Sequence, residues 1–310
     1  MAGSIEDVVV FAVGVAAALA ASVLFNVGIV LQALDARAAP RSLGLRFSLL
    51  WRLVHRPRWV IGALLGLVGI APQVLAYADA PFVVVQPALA AGLLLLLVFG
   101  ERILNEPVGV PELVGIPAII GGIALVAWGA PAHTEGHRAW APVVAVTGML
   151  CFSGLVPFLV RRTRLDTGML VVVATGCGFG ATNVATKLMG DDVDVGHYAN
   201  ALVWALVGLG MGVAATVANM TAFQRRAATT VVPVSTAVQT FLPIVLEPLF
   251  LRERWGSATL DGITMIAGLA IAMAGSILIA ASPAVSELVV GATGVGPVDS
   301  VGQHADGSER

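Results

Sequence analysis

Nine stretches of the chain contain no Asp, Glu, Lys or Arg: 8–34, 59–78, 80–100, 113–134, 139–160, 167–186, 195–224, 227–246 and 262–286. Each reaches roughly 20 residues, the length an α-helix needs to cross the hydrocarbon of a bilayer. Strands of a membrane barrel run about 10 residues with alternating polarity, so continuous apolar runs of this length exclude a barrel. Composition agrees, because 12% of residues are charged and 58% hydrophobic, whereas a soluble domain carries about 25% charged residues. The sequence therefore predicts an all-α polytopic membrane protein with about nine transmembrane helices.

The charges between these stretches fix an expected orientation. With the N-terminus outside, the inner segments hold Arg37, Arg41, Arg46, Arg52, Arg56, Arg58, Arg102, Arg161, Arg162, Arg164, Arg225, Arg226 and Arg310, and the outer segments only Arg138, Lys187, Arg252 and Arg254. That asymmetry satisfies the positive-inside rule and puts the C-terminus in the cytoplasm. The start, MAGSIEDVVV, has no basic region and its apolar run is too long for a signal peptide, so it reads as an uncleaved span. One Lys against sixteen Arg, with abundant Ala, Val and Gly, is the usage of GC-rich coding and points to a bacterial plasma membrane. A net charge of −2 with cations scattered over loops leaves no surface for nucleic acid. Cys151 and Cys177 fall inside spans and read as small buried hydrophobes.

The chain also repeats itself. Shifted by 146, residues 72–107 fall on 218–253 without a gap, bringing Gln73 onto Asn219, Tyr77 onto Phe223, Val85 onto Val231, Pro87 onto Pro233 and Glu101 onto Glu247. Asn26 and Asn183 form an earlier pair at a different offset, each in an otherwise apolar segment. Four spans, one crossing and four more spans make the second unit enter the membrane from the opposite side, an inverted 4+1+4 repeat of the kind secondary transporters use. The expected division is a first repeat at 1–134 with a basic cytoplasmic segment at 35–58, a linking helix at 135–165, a second, inverted repeat at 166–282, and a disordered cytoplasmic tail at 283–310. Residues 41–58 hold five Arg and one His. They read as an interfacial amphipathic helix, with a solvated basic loop or a tenth span as the alternatives. Gly62 with Gly66 and Gly208 with Gly212 are spaced for close helix packing, and a homodimer is left open.

The block at 56–109 is similar to the second and third spans of the NIPA-type magnesium transporters, within the drug/metabolite transporter (DMT/EamA) superfamily. The residues that carry the resemblance are Trp59 with Gly62, Ala80-Pro81, Pro87 and Asn105-Glu106. In the second half, Pro233 and Glu253 resemble the family's eighth span, although Arg254 stands between Glu253 and Trp255. The resemblance implies nine spans, an N-terminus outside, and Mg²⁺ or another divalent cation as cargo carried by alternating access.

Candidate site residues follow from what is costly in lipid. Asn26, Gln73, Asn183, Asn219 and Gln239 are amides in or near span interiors; they can line a polar cavity or simply hydrogen-bond helix to helix. Glu101 and Glu247 are carboxylates at the ends of repeated spans on opposite sides of the membrane, either gating or coupling groups or interfacial ion pairs. They are also the candidates for any metal contact. Pro87 and Pro233 are candidate helix breaks, each freeing a carbonyl. Loop residues His133, Glu135 and His137 could form a divalent-cation site, and the aspartates Asp191, Asp192 and Asp194 could raise the local cation concentration at the outer mouth, with a solvated loop as the alternative. No nucleophile–base set or phosphate loop is present, so the sequence offers no enzyme chemistry and no cofactor. The expected partners are an ion or small-molecule substrate and the lipid bilayer. Two other readings stand beside cation transport: a proton-coupled EamA-type exporter of a small metabolite or drug, and a non-transporting membrane scaffold.

Overall fold

The computed structural model describes residues 5–80, 82–129, 140–160, 168–251 and 259–281, and every regular element among them is helical. The helices are α1 (Ile5–Arg37), α2 (Phe47–Val54), α3 (Pro57–Asp79), α4 (Phe82–Ala90), α5 (Gly92–Arg102), α6 (Val110–Gly129), α7 (Trp140–Val160), α8 (Gly168–Asp194), α9 (Tyr198–Phe223), α10 (Ala228–Leu251) and α11 (Thr259–Ala280). Helix is the form a spanning segment takes when no water is present to bond its backbone. Seven of them, α1, α3, α6, α7, α8, α9 and α11, are long and apolar enough to cross a membrane. The pair α4–α5 makes one further crossing in two pieces and α10, apolar over Ala228–Leu242, makes another. That brings the crossings among the described residues to nine. Large side chains such as Leu64, Leu67, Val74, Phe152, Leu206 and Leu209 stand on the outside of the bundle, where lipid rather than water must meet them. The loop at 133–137 and the tail at 283–310 lie outside the described residues.

The basic stretch 41–58 does not span. It folds as a single 3-10 turn (Arg41–Leu43), then α2, then the first turn of α3; eight residues of helix reach only about 12 Å. Leu49 and Leu53 of α2 are fully buried, so one face belongs to the protein core. Leu45, before α2, has a φ of 55°, a left-handed conformation that is costly for a leucine. Its burial and the 2.9 Å bond from its N–H to Thr221 Oγ1 hold it there.

The three most extensive helix pairings are α1 with α3, α8 with α9, and α6 with α11. The first two are the opening hairpins of the two repeats; the third joins the repeats and shows how they are related. In it Gly122 faces the carbonyl of Gly268 and Gly268 that of Gly122, while Gly115 and Gly275 do the same. Numbers rising along α6 meet numbers falling along α11, so the two helices are antiparallel. The offset of 146 that superposes the repeated segments also carries Gly122 onto Gly268. A reciprocal contact between two repeat mates on antiparallel helices is what a two-fold axis in the membrane plane produces. The inverted repeat is thus visible at one point of backbone contact. The linking helix α7 leans on α8, α10 and α9.

A Cβ on Gly122 would stand 2.5 Å from the Gly268 oxygen, and one on Gly268 2.7 Å from the Gly122 oxygen. Gly122→Leu and Gly268→Leu are each expected to destabilise by about 1–3 kcal/mol through overpacking, read as a melting temperature several degrees lower in detergent. Gly121→Leu, where a Cβ meets nothing within 4 Å, is expected to melt as the parent does.

Candidate translocation site

Span 3 is broken. Pro87 lies in α4 and has no N–H to give; the helix closes on a bond from Ala91 N–H to the Pro87 carbonyl (2.8 Å) and restarts with Leu94 N–H on Ala91 (3.0 Å). Beside this interruption the Leu89 carbonyl accepts the Ser22 hydroxyl of α1 at 2.7 Å. One turn on, Asn26 donates its amide N–H to the Ser22 carbonyl at 2.8 Å. Its Oδ1 is buried with no partner. Gly92 makes this approach feasible, because a Cβ there would collide with the Ser22 hydroxyl and the Asn26 amide. A buried acceptor left unpaired costs roughly 1–3 kcal/mol, and broken helices at mid-membrane are where inverted-repeat carriers hold their cargo.

The matching span of the second repeat is not broken. Pro233 is buried in α10, which continues as helix from Ala228 to Leu251. The reason lies at the mates of the break: offset 146 carries Ala91-Gly92 onto Ala237-Val238. Proline with a glycine five residues on loosens a helix, whereas proline followed by a stiff β-branched residue does not.

The other amides are spread through the bundle. Gln73 is half-buried on α3 and hydrogen-bonds Tyr77. Asn219 is half-buried on α9, its Oδ1 buried and unpartnered like that of Asn26. Gln239 is half-buried on α10, and Asn183 is exposed on α8. Asn26 and Asn183 are equivalent in register, since an offset of 157 also takes Gly28, which faces Gly62, onto Ala185, which faces Gly208. Their surroundings nevertheless differ. Asn26 precedes Arg37 by eleven residues and Asn219 precedes Phe223 by four, roughly 16 and 6 Å of helix. Arg37 contacts the Phe223 carbonyl, so the two orphan oxygens lie at different depths and do not share one ion. Glu101 is exposed at the end of α5, and the Glu247 side chain lies outside the described residues.

At the arginine-rich end a network ties the repeats together. Glu106 is 4% exposed. It pairs with Arg37 of α1 and accepts the backbone N–H of Ala228 (2.6 Å) and Thr229 (2.9 Å) at the start of α10. A carboxylate at a helix N-terminus meets both unsatisfied donors and the positive end of the helix dipole. Arg37 also reaches the carbonyls of Leu104 and Phe223. Beside this clasp, Gln224 donates to the carbonyls of Ala39 and Pro40, and the Trp59 indole N–H meets Met220 Sδ at 3.2 Å. Asp35 accepts Trp59 N–H at 2.9 Å and pairs with Arg56 at 3.2 Å, capping α3. The opposite end has no match: α1 packs on α9, but their mates α8 and α3 are not comparably packed among the described residues.

Sequence reasoning met Glu106 only as part of a motif and missed Asp35 and Glu112. Glu112 is 1% exposed and accepts Gly109 N–H at 2.8 Å, capping α6. Its signal was a Glu in the first helical turn, three residues after a glycine. Among the described residues no three His, Cys, Asp or Glu side chains gather to hold a metal ion.

No protein-family profile and no solved structure matches the chain. Among curated proteins it is 30% identical over 185 residues to a probable magnesium transporter, NIPA9, of Arabidopsis thaliana, the match covering 55% of this chain and 53% of that one. The chain thus matches about half the length of this relative, and the similarity agrees with the NIPA-type resemblance of the motifs.

Removing Glu106 strands Arg37 and two helix-terminal donors. Glu106→Ala is expected to destabilise by about 3 kcal/mol or more, and in a thermal-melt cycle Arg37→Met should cost less in that background than alone. Glu101→Ala, at an exposed site, should leave the melting temperature unchanged.

Proposed function

We propose that the protein is a secondary transporter of Mg²⁺ or a similar divalent cation, working by alternating access between its two inverted repeats. The observation that carries this reading is the interruption of span 3 at Ala91, where the Leu89 carbonyl, the Ser22 hydroxyl and the unpartnered Asn26 Oδ1 lie close together. It is a neutral, oxygen-rich spot inside a bundle of inverted repeats, and the similar curated protein is described as a probable magnesium transporter. Mg²⁺ gives up its water reluctantly and is usually held through a few oxygen ligands with several waters retained. An amide oxygen at the break suits that habit; Asn219 offers a second acceptor nearer the arginine-rich end. In this proposal the arginine-rich end is cytoplasmic, the membrane is a bacterial plasma membrane, and the Arg37–Glu106 clasp is the inner gate.

The test is Mg²⁺ uptake into proteoliposomes loaded with a magnesium indicator. Asn26→Leu is expected to lower the initial rate tenfold or more, while Asn183→Leu, at the exposed register mate, leaves it within twofold. Folded protein that moves no Mg²⁺ under either gradient overturns the reading. Saturable flux of an organic solute driven by a pH gradient would install the exporter reading instead.

Alternating access also requires that the far end close when the clasp opens. The repeat relation supplies a pair for it: offset 157 takes Arg37 onto Asp194, and offset 146 takes Glu106 onto Arg252, so the charges are exchanged. Both side chains lie outside the described residues. Asp194→Cys with Arg252→Cys is expected to cross-link more in Glu106→Gln, where the clasp is weakened, than in the parent background. Equal yields in the two would count against a mated gate.

A further inference from the structure

We propose that the elbow joining α1 to α3 is a docking surface for the headgroups of anionic phospholipids, and that its occupancy stabilises the contact between the two repeats. The inference does not depend on what the protein carries. Six arginines lie at or near the elbow, and they divide into two kinds. Arg37 and Arg56 are matched by Glu106 and Asp35. Arg41, Arg46, Arg52 and Arg58 are exposed and make no ion pair among the described residues. The elbow therefore presents four cations with no matching anion among the described residues.

The apolar face beside them shows what kind of anion fits. Leu49 and Leu53 are fully buried, yet Phe47 and Trp51 of the same short helix are 63% and 72% exposed. Helix α2 is thus apolar on a second side that the protein leaves bare. Phe47 stacks on Phe158 of α7 at 6.5 Å between ring centroids. Leu155 and Leu159 of α7 continue the exposed apolar surface. The bare face of α2 is in this way continuous with a membrane-spanning surface, and the free arginines sit at its edge. His55 anchors to the Trp51 carbonyl at 2.7 Å and its ring packs on the indole. Tryptophan with flanking arginine is the side-chain set that settles at the headgroup level, and basic segments next to a spanning helix attract anionic lipid. A soluble acidic protein or a nucleic acid would match the charge and leave the aromatic face unexplained.

The elbow is also fastened to the second repeat. Leu45 N–H bonds Thr221, Gln224 bonds the Ala39 and Pro40 carbonyls, and Trp59 meets Met220. Lipid that holds the elbow at the interface holds these contacts too, so binding to the folded form appears as stability.

The experiment uses the full chain in neutral detergent micelles containing phosphatidylglycerol, phosphatidylcholine or, as a control for the source of the anion, inorganic phosphate. Phosphatidylglycerol is expected to raise the melting temperature by about 5 °C, and the other two to leave it unchanged. The variant Arg46→Gln/Arg52→Gln/Arg58→Gln should melt as the parent in phosphatidylcholine and lose the rise, its affinity for phosphatidylglycerol falling on the order of 100-fold. Independently of that variant, brominated phosphatidylglycerol should quench tryptophan emission of the unaltered chain more than brominated phosphatidylcholine, and Trp51→Phe should remove the difference. A rise of equal size with phosphatidylcholine, a rise reproduced by phosphate, a triple variant that keeps the rise, or equal quenching by the two lipids overturns the proposal.

Discussion

Helices in lipid gain little by hiding apolar side chains from a solvent that is itself apolar, so they associate by close packing. The bundle depends on that constraint. Close approaches place glycines against glycines or alanines at several points: Gly28 with Gly62 in the first hairpin, Gly178 with Ala215 in the second, Gly122 with Gly268 between the repeats. The last of these has a further property, because it joins a residue to its own repeat mate. Contact of that kind can occur only on the axis relating the two units, so Gly122 and Gly268 mark the line about which the molecule is nearly symmetric. Every other relation between the repeats is measured from there.

Departures from that symmetry are informative. Span 3 is interrupted at Ala91 and its mate α10 is whole; Asn26 is buried and Asn183 exposed; α1 packs on α9, while α8 and α3 are not comparably packed among the described residues. The first and the last of these differences trace to local chemistry acting on a shared template. Glycine at 92 where valine stands at 238 decides where a helix can part. A carboxylate at 106, buried against an arginine and two helix-terminal N–H groups, decides which end is drawn together. Polar contacts of this strength are needed because apolar surface gives little preference for one arrangement over another in lipid.

How far the sequence foretold this follows the same division. The nine crossings were legible because charge is too costly in hydrocarbon to be hidden there, so its absence draws the boundaries. The inverted relation was legible from the ungapped offset and from an odd number of intervening crossings. Asn26 stood out as an amide in an apolar span, but nothing local to it told that its Oδ1 would be buried unpaired beside Gly92, next to a Ser22 hydroxyl that bonds the Leu89 carbonyl. That contact joins residues far apart in sequence and depends on how α1 lies against the broken span. Pro233 misled for a related reason: proline removes one bond but does not by itself break a helix, and its neighbours settle the outcome. Glu106 carries the most partners of any carboxylate described, and the sequence showed only that it closes an Asn-Glu motif after a span.

The elbow and the clasp meet in the same few residues, and this bears on how such a molecule could move. Asp35 and Arg37 lie on the last turn of α1, one capping α3 within the first repeat and the other holding Glu106 against the second. Between α1 and α3, the chain from Ala38 to Arg56 is pinned by Thr221 of α9 and by Gln224 at its end, and leaves Trp51 exposed. A rotation of one repeat about the Gly122–Gly268 axis would therefore have to release ion pairs and helix caps together. Because these bonds share elements, losing one weakens the others, and the end opens as a unit or stays shut. Near-symmetry at the centre with a cooperative lock at one end is the arrangement that the proposed alternation between two states calls for and a rigid scaffold does not.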